Sequence, residues 1–149
     1  MEMPKRTKEH EMMKGRAGTW DATVNVMGQV SKGTEKVTML GPFWQIAEFQ
    51  SEMMGAPFQG RQQLGYVPEK KEFFSTWIDT MSPRPLVMRG NFDAAGKVLT
   101  MTGEGKNMEG KSITWKTVVT ISSPDATTFQ MFENDAKQPV MTIDYKRRK

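Results

Sequence analysis

The stretch GKNMEGKS at residues 105–112 fits the phosphate-loop pattern G-x-x-x-x-G-K-[ST] at every fixed position. A phosphate loop works because its glycine-rich turn leads directly into a helix, whose first N–H groups surround the phosphates. Here the following residues, SITWKTVVTISS, are rich in β-branched side chains that alternate with a period of two, which indicates a strand. We therefore predict a hairpin turn at this position and no nucleotide site.

His10 is the sole histidine, and the chain has no cysteine. One histidine without thiolate ligands cannot form a typical zinc site. The glycine-rich motif and C-terminal histidine of the haem barrels related to nitrobindin are missing as well. A Ser–His–Asp arrangement would have to use Ser75, His10 and Asp79, but no nucleophile elbow surrounds the serine. We predict a capping or packing role for His10, and neither a metal nor a cofactor.

Asp79 is the carboxylate with the strongest case for a function. It lies two residues after Trp77, so on a strand both side chains share one face with Phe73 and Ser75. If that face is the interior, the carboxylate must be hydrogen-bonded or become harder to ionise. Asp79 is then either a strand-end residue that accepts from N–H groups of the next turn, or a polar anchor or general base.

Four other charged residues could also serve such a role. Glu48 is the second candidate for an acid or base in the interior. Arg89, Glu104 and Glu133 stay open, because a slip of one residue in strand register would reverse the face on which they lie.

The composition is that of an ordinary globular domain, with 26% charged and 37% hydrophobic residues in 149. We predict one domain over 1–149, with a helical cap at 1–16 and a basic tail at 146–149. No apolar run approaches the roughly 18 residues that span a bilayer, and the charged N-terminus lacks the apolar core of a signal peptide. These features predict a cytoplasmic protein without a membrane span.

The positive charge is local. The formal net charge is +4, and the last four residues, KRRK, account for all of it. Basic residues are also not interleaved with the tryptophans, as a base-stacking surface would require. Nucleic acid is therefore not expected as a partner. The fourteen methionines either fill gaps in the core or line a ligand cavity.

The elements follow from the hydrophobic period. Residues 5–16 favour a short helix, and TWDATVNVMG at 19–28 begins a series of alternating segments. Turn signals separate these segments, among them SKG at 31–33, SPRP at 82–85 and NMEG at 107–110. The further strands are predicted at roughly 34–40, 43–53, 58–67, 72–81, 86–93, 97–104, 112–122, 127–133 and 139–147.

About ten strands joined by short turns have one economical arrangement. No segment between them can hold a crossover helix, so neighbouring strands should be antiparallel. An up-and-down barrel leaves few unpaired edges and is wide enough for side chains or one small ligand. We predict an all-β, up-and-down antiparallel barrel with a short N-terminal helix. The alternative is a two-sheet sandwich, which would need longer connections.

The motif AGTWDA, placed between a short helix and an alternating strand, resembles the start of lipocalins and other calycins. The resemblance implies that Trp20 lies inside the closed end of the barrel. It also implies that a basic residue of the last strand, Arg147 or Arg148, packs across Trp20.

A second resemblance covers nearly the whole chain. The segments EHEMMKGRAGTWDA at 9–22, FQGRQQLGYVPEKKEFFSTWIDTM at 58–81, RGNFDAAGKVLTMTGEG at 89–105 and IDYKRR at 143–148 are similar to DUF1579, a bacterial family without an assigned function. The block from Gly65 and Tyr66 to Trp77, Ile78 and Asp79 is its most specific part. The resemblance implies a calycin-like barrel and carries no chemistry with it.

Three functions remain open for such a barrel. The favoured one is non-enzymatic binding of a small apolar or amphipathic molecule in the interior. The alternatives are a filled barrel that serves as a structural or protein-interaction module, with an outer homodimer face, and an enzyme that uses Asp79 or Glu48. The residues predicted to line the ligand site are Trp44, Gln62, Tyr66, Trp77, Asp79, Met88, Trp115 and Met131.

Overall fold

Ten antiparallel strands and one short helix make up the protein in this computed structural model, which describes residues 2–149. The elements are α1 (Lys8–Lys14), β1 (Gly18–Val26), β2 (Gln29–Leu40), β3 (Trp44–Met53), β4 (Ala56–Val67), β5 (Glu72–Asp79), β6 (Ser82–Phe92), β7 (Val98–Lys106), β8 (Ser112–Ser123), β9 (Ala126–Glu133) and β10 (Met141–Arg147). Among the described residues, no helix is long and apolar enough to cross a membrane.

The sheet closes on itself. Each strand pairs with its neighbours in sequence, and β1 also pairs with β10, from Trp20 opposite Arg147 to Asn25 opposite Thr142. All ten pairings are antiparallel. The predicted up-and-down barrel is confirmed, and the sandwich alternative is wrong.

The two ends of the barrel differ. At the capped end, α1 lies across the opening, where the Gln45 side chain donates a hydrogen bond to the Met13 carbonyl (2.8 Å). The turns after β2, β4, β6 and β8 are also at this end. The opposite end, which we call the mouth, carries the turns after β1, β3, β5, β7 and β9. No helix of the described chain covers the mouth.

His10 fixes the helix to the barrel. Its Nδ1 accepts a hydrogen bond from the backbone N–H of Thr7 (2.9 Å), and its Nε2 contacts the carbonyl oxygen of Tyr66 (3.3 Å). The ring is buried and meets the edge of Phe43 at a centroid distance of 5.0 Å. The predicted capping and packing role is confirmed. With both nitrogens engaged here, the Ser–His–Asp arrangement with Ser75 and Asp79 does not form.

The GKNMEGKS stretch is a hairpin turn, as predicted. β7 runs to Lys106, β8 begins at Ser112, and Gly110 takes the positive φ (80°) that the turn between them requires. A strand and not a helix follows the turn, and the N–H groups of Glu109, Gly110 and Lys111 donate hydrogen bonds to Asn107 within it, so they are not free to surround a phosphate.

Two predicted turns are wrong. SKG at 31–33 lies inside β2, because Gly33 is where that strand passes close to its neighbour: a Cβ there would be 2.6 Å from the Gln50 carbonyl oxygen. SPRP at 82–85 opens β6, beside a register shift between Trp77 and Asp79. The helix is also shorter than the predicted 5–16.

Gly90 provides a test of the closely packed wall. A Cβ on Gly90 would collide with the Thr100 carbonyl oxygen and lie 2.7 Å from the Met101 Cα, both on the neighbouring strand. Because a backbone must move, we expect Gly90→Ala to lower the free energy of unfolding by about 1–3 kcal/mol. Urea denaturation of the purified protein measures this loss.

The matched control is Gly15→Ala. Gly15 ends α1 with an ordinary helical φ of −62°, and a Cβ there would be 3.4 Å from the nearest carbonyl oxygen. We expect this variant to be unchanged or stabilised by up to about 1 kcal/mol. Equal stability of the two variants would contradict the observed approach of β6 and β7.

Candidate functional site

The floor of the barrel interior is built around Trp20, at the capped end. Its ring lies between two guanidinium groups, with the central carbon of Arg16 4.2 Å and that of Arg147 4.4 Å from the ring centroid. The indole N–H donates to the Arg16 carbonyl (2.9 Å). The basic residue expected across Trp20 is therefore Arg147. Arg148 points elsewhere and pairs with Asp21 (2.6 Å).

Arg147 ties three segments together at this floor. Its guanidinium donates to the carbonyls of Ala17 (2.6 Å), Gly15 (2.9 Å) and Pro124 (3.0 Å), and to the carboxylate of Asp125 (3.0 Å). The segment before β1, the turn after β8 and the end of β10 are thus held by one side chain. Cation–π and charge-assisted hydrogen bonds both strengthen where water is excluded.

Next to Trp20 lies a buried polar group of residues that we call the floor network: Arg16, Glu35, Thr127 and Tyr145. The Glu35 carboxylate is 3.5 Å from the Arg16 guanidinium and accepts a hydrogen bond from the Tyr145 hydroxyl (3.2 Å). Arg16 also donates to the Thr127 hydroxyl (2.8 Å). This network was not predicted. The available signal was that Glu35 alternates with Val37 and Met39 on the inner face of β2.

Burial dominates the ionisation of the floor network. It raises the pKa of Glu35, while the charge of Arg16 and the hydrogen bond from Tyr145 act in the opposite direction. Burial also raises the pKa of Tyr145 well above its ordinary value, and the nearby Glu35 adds to that rise. The hydroxyl of Tyr145 is therefore a hydrogen-bond donor at neutral pH.

Nearer the mouth, Trp77 lies flat against the inner wall. Its ring occupies the space that a side chain at Gly60 would fill, and it stacks with Phe58 at 6.5 Å and an angle of 23°. The indole N–H donates to one oxygen of Asp79 (2.7 Å), whose other oxygen accepts from the N–H of Met81 (2.8 Å). The prediction that Asp79 accepts from the following turn is confirmed, and it also orients Trp77.

Trp115 likewise lies where a glycine of the neighbouring strand leaves room for its ring. A Cβ on Gly105, in the neighbouring strand, would be 2.8 Å from the Trp115 ring, so the missing side chain is what gives the indole its place. In both cases a glycine allows a large ring to lie along the wall. The missing side chains at Gly60 and Gly105 therefore leave room for the two rings against the inner wall.

Several inner side chains keep access to solvent. The register places the following side chains inside, yet they are only half-buried: Gln62, Trp77, Trp115, Val119, Phe129, Met131 and Met141. Trp77, Met131 and Met141 lie near strand ends at the mouth, whereas Gln62, Val119 and Phe129 lie in mid-strand, where an inward side chain can be exposed only to the interior. The Ser51 hydroxyl is also on the inner face, and it is buried without a hydrogen-bond partner in the part of the chain that is described.

Two concavities lie outside the barrel wall. One, of about 480 Å³, is an open depression along β1 and β2 lined by Asp21, Thr23, Lys32 and Thr34. The other, of about 230 Å³, runs beside α1. Neither contains a residue predicted to bind a ligand.

Seven of the eight predicted ligand residues share the inner face: Gln62, Tyr66, Trp77, Asp79, Met88, Trp115 and Met131. Trp44 does not. It is 40% exposed and lies over Gly65 on the outer face, because it falls one residue before the inward-facing Gln45.

Of the other charged candidates, Glu48 lies on the outer face, is largely exposed and pairs with Arg61 (3.7 Å). The hypothesis that it is an acid or base of the interior is therefore wrong. Arg89 and Glu104 also face outward, whereas Glu133 is half-buried at the mouth, opposite Trp115.

Tyr145→Phe tests the floor network. Removing the hydroxyl leaves the buried Glu35 carboxylate without one donor, so we expect a loss of about 1–3 kcal/mol in the free energy of unfolding near neutral pH. Loss of that bond raises the pKa of Glu35 further. A carboxyl with a raised pKa in the folded state favours folding at low pH, and this contribution disappears as pH rises through that pKa. The loss should therefore be larger at about pH 8 than at about pH 4.

Tyr66→Phe is the control for this measurement. Tyr66 is also on the inner face, but its hydroxyl takes no part in any hydrogen bond found between residues 2 and 149. We expect a change within about 0.5 kcal/mol at either pH. A Tyr145→Phe loss that is the same at both pH values would show that the hydroxyl does not stabilise a charged Glu35.

Comparison with solved structures identifies similar folds. The S-type phycobiliprotein lyase CPES from Guillardia theta is 11% identical, with a TM-score of 0.59, and the match covers 98% of this chain and 99% of the lyase. A redesigned β-barrel is 15% identical, with a TM-score of 0.51, over 92% of this chain and 95% of the design. At these identities the likeness shows the fold alone.

Sequence comparison assigns a family. None of the curated proteins compared with the chain matches it. The family described as "Protein of unknown function (DUF1579)" matches residues 5–147, which is nearly the whole chain. The match includes every residue of the floor network and the inner-wall residues Trp77 and Trp115. The protein is therefore a member of the DUF1579 family, and its fold is a closed ten-stranded barrel.

Proposed function

We propose that the protein binds a small apolar or amphipathic molecule inside the barrel, on the mouth side of the floor network. The observation that carries this proposal is the combination of half-buried inner side chains with tryptophan rings that lie along the wall. A core filled for stability alone would bury the mid-strand members of this set, Gln62, Val119 and Phe129, completely. An interior lined by aromatic and methionine side chains with a few polar groups is typical of small-molecule sites.

The wall around Trp77 would supply most of the affinity. Its ring is held by Gly60, Phe58 and Asp79 before any ligand arrives, so little conformational freedom is lost on binding. Burial of apolar ligand surface contributes about 25 cal/mol per Å² before the costs of association. Asp79 acts through Trp77, because both carboxylate oxygens already accept hydrogen bonds.

Two polar groups could orient an amphipathic ligand. Gln62 lies directly opposite Trp77 in the register and is half-buried on the inner face. The Ser51 hydroxyl has no partner in the described chain, and a buried hydroxyl without one is costly. A ligand with an apolar body would place its hydrogen-bonding group against Gln62 or Ser51.

The acid–base hypothesis loses its support. Glu48 lies outside the barrel, and Asp79 is occupied by Trp77 and Met81. The geometry therefore favours binding over catalysis. The alternative is a filled structural module, which would bind no apolar probe in its interior.

Replacing Trp77 by alanine tests the site. Loss of the ring removes apolar contact surface, so we expect the affinity for a hydrophobic dye or a fatty acid to fall by about 10- to 100-fold. The measurement is a fluorescence titration with an anilinonaphthalene dye, together with native mass spectrometry of the wild-type protein for a retained ligand.

Trp44→Ala is the matched control, because Trp44 also packs over a glycine, but on the outer face. We expect its dye affinity to stay within about twofold of the wild type. Both variants are compared at equal folded fraction. If the wild type binds no probe, or if Trp44→Ala weakens binding as much as Trp77→Ala, the interior is not the site.

A further inference from the structure

A ring of exposed methionines surrounds the mouth. Four consecutive turns at this end each carry one methionine at the tip, and we call this set the methionine rim. Its members and their exposed fractions are Met27 (88%), Met54 (75%), Met81 (48%) and Met108 (94%). Val30 and Ile78, beside the first and third of these turns, are also more than half exposed. The turns come from four different hairpins, so the up-and-down order distributes the methionines around the opening.

Two of these methionines adopt a backbone conformation that is unfavourable for them. Met27–Gly28 and Met54–Gly55 are two-residue hairpin turns in which both residues have positive φ, 51° and 89° in the first and 50° and 78° in the second. The first position of such a turn favours Asn, Asp or Gly. Unfavourable backbone conformations that persist often mark functional positions. The sequence therefore keeps an apolar tip where a polar residue would fit the turn better.

The turns at the capped end have a different character. The exposed residues after β4 are Pro68, Glu69, Lys70 and Lys71, and the left-handed residue among them is Lys71 (φ 50°). The turn after β8 is Pro124 and Asp125. Leu40 and Trp44 are exposed at this end, but both flank a single turn. Within residues 2–149, exposed methionines at hairpin tips occur only at the mouth.

Charges at the mouth are mixed, so attraction to a strongly charged partner is not the basis of recognition. The turns at the mouth carry exposed side chains of both signs: Arg84, Lys106, Lys111 and Lys137 together with Glu52, Glu109 and Asp135. The excess positive charge of the chain lies at its C-terminus, where Arg147 and Arg148 are bound at the capped end.

We propose that the methionine rim docks the mouth of the barrel onto the surface of a lipid bilayer. The four tips belong to four separate hairpins around the opening, so they do not form one continuous face of a single helix or strand. A folded partner would need four pockets at matching positions. A lipid surface admits all four side chains together, and methionine, which is flexible and apolar, can adapt to it. With mixed charges nearby, an electrically neutral lipid headgroup suffices.

This proposal is independent of the interior site. Docking uses the outside of the turns, whereas the proposed ligand contacts the inner wall. Vesicle binding is therefore measured without any added ligand, and its failure would leave the dye titration of Trp77→Ala unaffected. If both proposals hold, the mouth opens toward the lipid bilayer, where an apolar ligand is most soluble.

The experiment measures co-flotation of the full chain with phosphatidylcholine vesicles. The test variant combines Met27→Asn, Met54→Asn, Met81→Ser and Met108→Ser. Because Asn–Gly is a favoured pair in the first two turns, this variant should fold at least as well as the wild type. We expect its partition coefficient to fall by about tenfold or more. Leu40→Asn, at an exposed apolar position of the capped end, should change it by less than about twofold.

A second readout gives the orientation. The chain has no cysteine, so the single substitution Met27→Cys or Leu40→Cys provides one attachment site for an environment-sensitive fluorophore. Vesicles should shift the emission of the probe at 27 to shorter wavelength and leave that at 40 unchanged. Absence of binding to phosphatidylcholine would overturn the proposal. Binding that needs anionic lipid and disappears in high salt would also overturn it. The same holds if the four-methionine variant loses self-association and this loss accounts for its weaker vesicle binding.

Discussion

The pairing of β1 with β10 is the constraint on which the rest of the structure depends. It converts a ten-stranded meander into a cylinder and fixes which side chains face inward all the way around. Trp20 and Arg147, opposite each other in this pairing, secure it: the indole lies between two guanidinium groups, and Arg147 holds three segments of backbone. An open sheet of this length would expose two unpaired edges.

Closure also creates a polarity along the barrel axis. The capped end contains the helix and the floor network, whose members satisfy one another at the cost of burying Glu35 and Arg16 together. Toward the mouth the inner wall becomes aromatic, and glycines opposite Trp77 and Trp115 let the rings lie along it. A polar floor at one end and an aromatic wall toward the other are the features on which the proposed binding site rests.

The alternation of apolar and polar residues was enough to predict the barrel, because nearly every strand shows this period of two, which is set by backbone geometry. It also placed Trp77 and Asp79 on one inner face. The same reasoning failed where a glycine inside a strand imitates a turn, as at Gly33, and where one residue of register decides the face, as for Trp44 and Glu48. The partners of Glu35 are 19 and 110 residues away along the chain, so no local pattern could reveal the floor network.

The proposal of a ligand-binding interior is tested most directly by ¹⁹F NMR of the protein labelled with fluorotryptophan and titrated with a fatty acid. The four tryptophans report four environments: Trp77 and Trp115 on the inner wall, Trp20 in the floor and Trp44 outside. The resonances of Trp77 and Trp115 should shift with increasing ligand, with little change at Trp44. Shifts confined to Trp44, or none at any of the four, would contradict a ligand-binding interior.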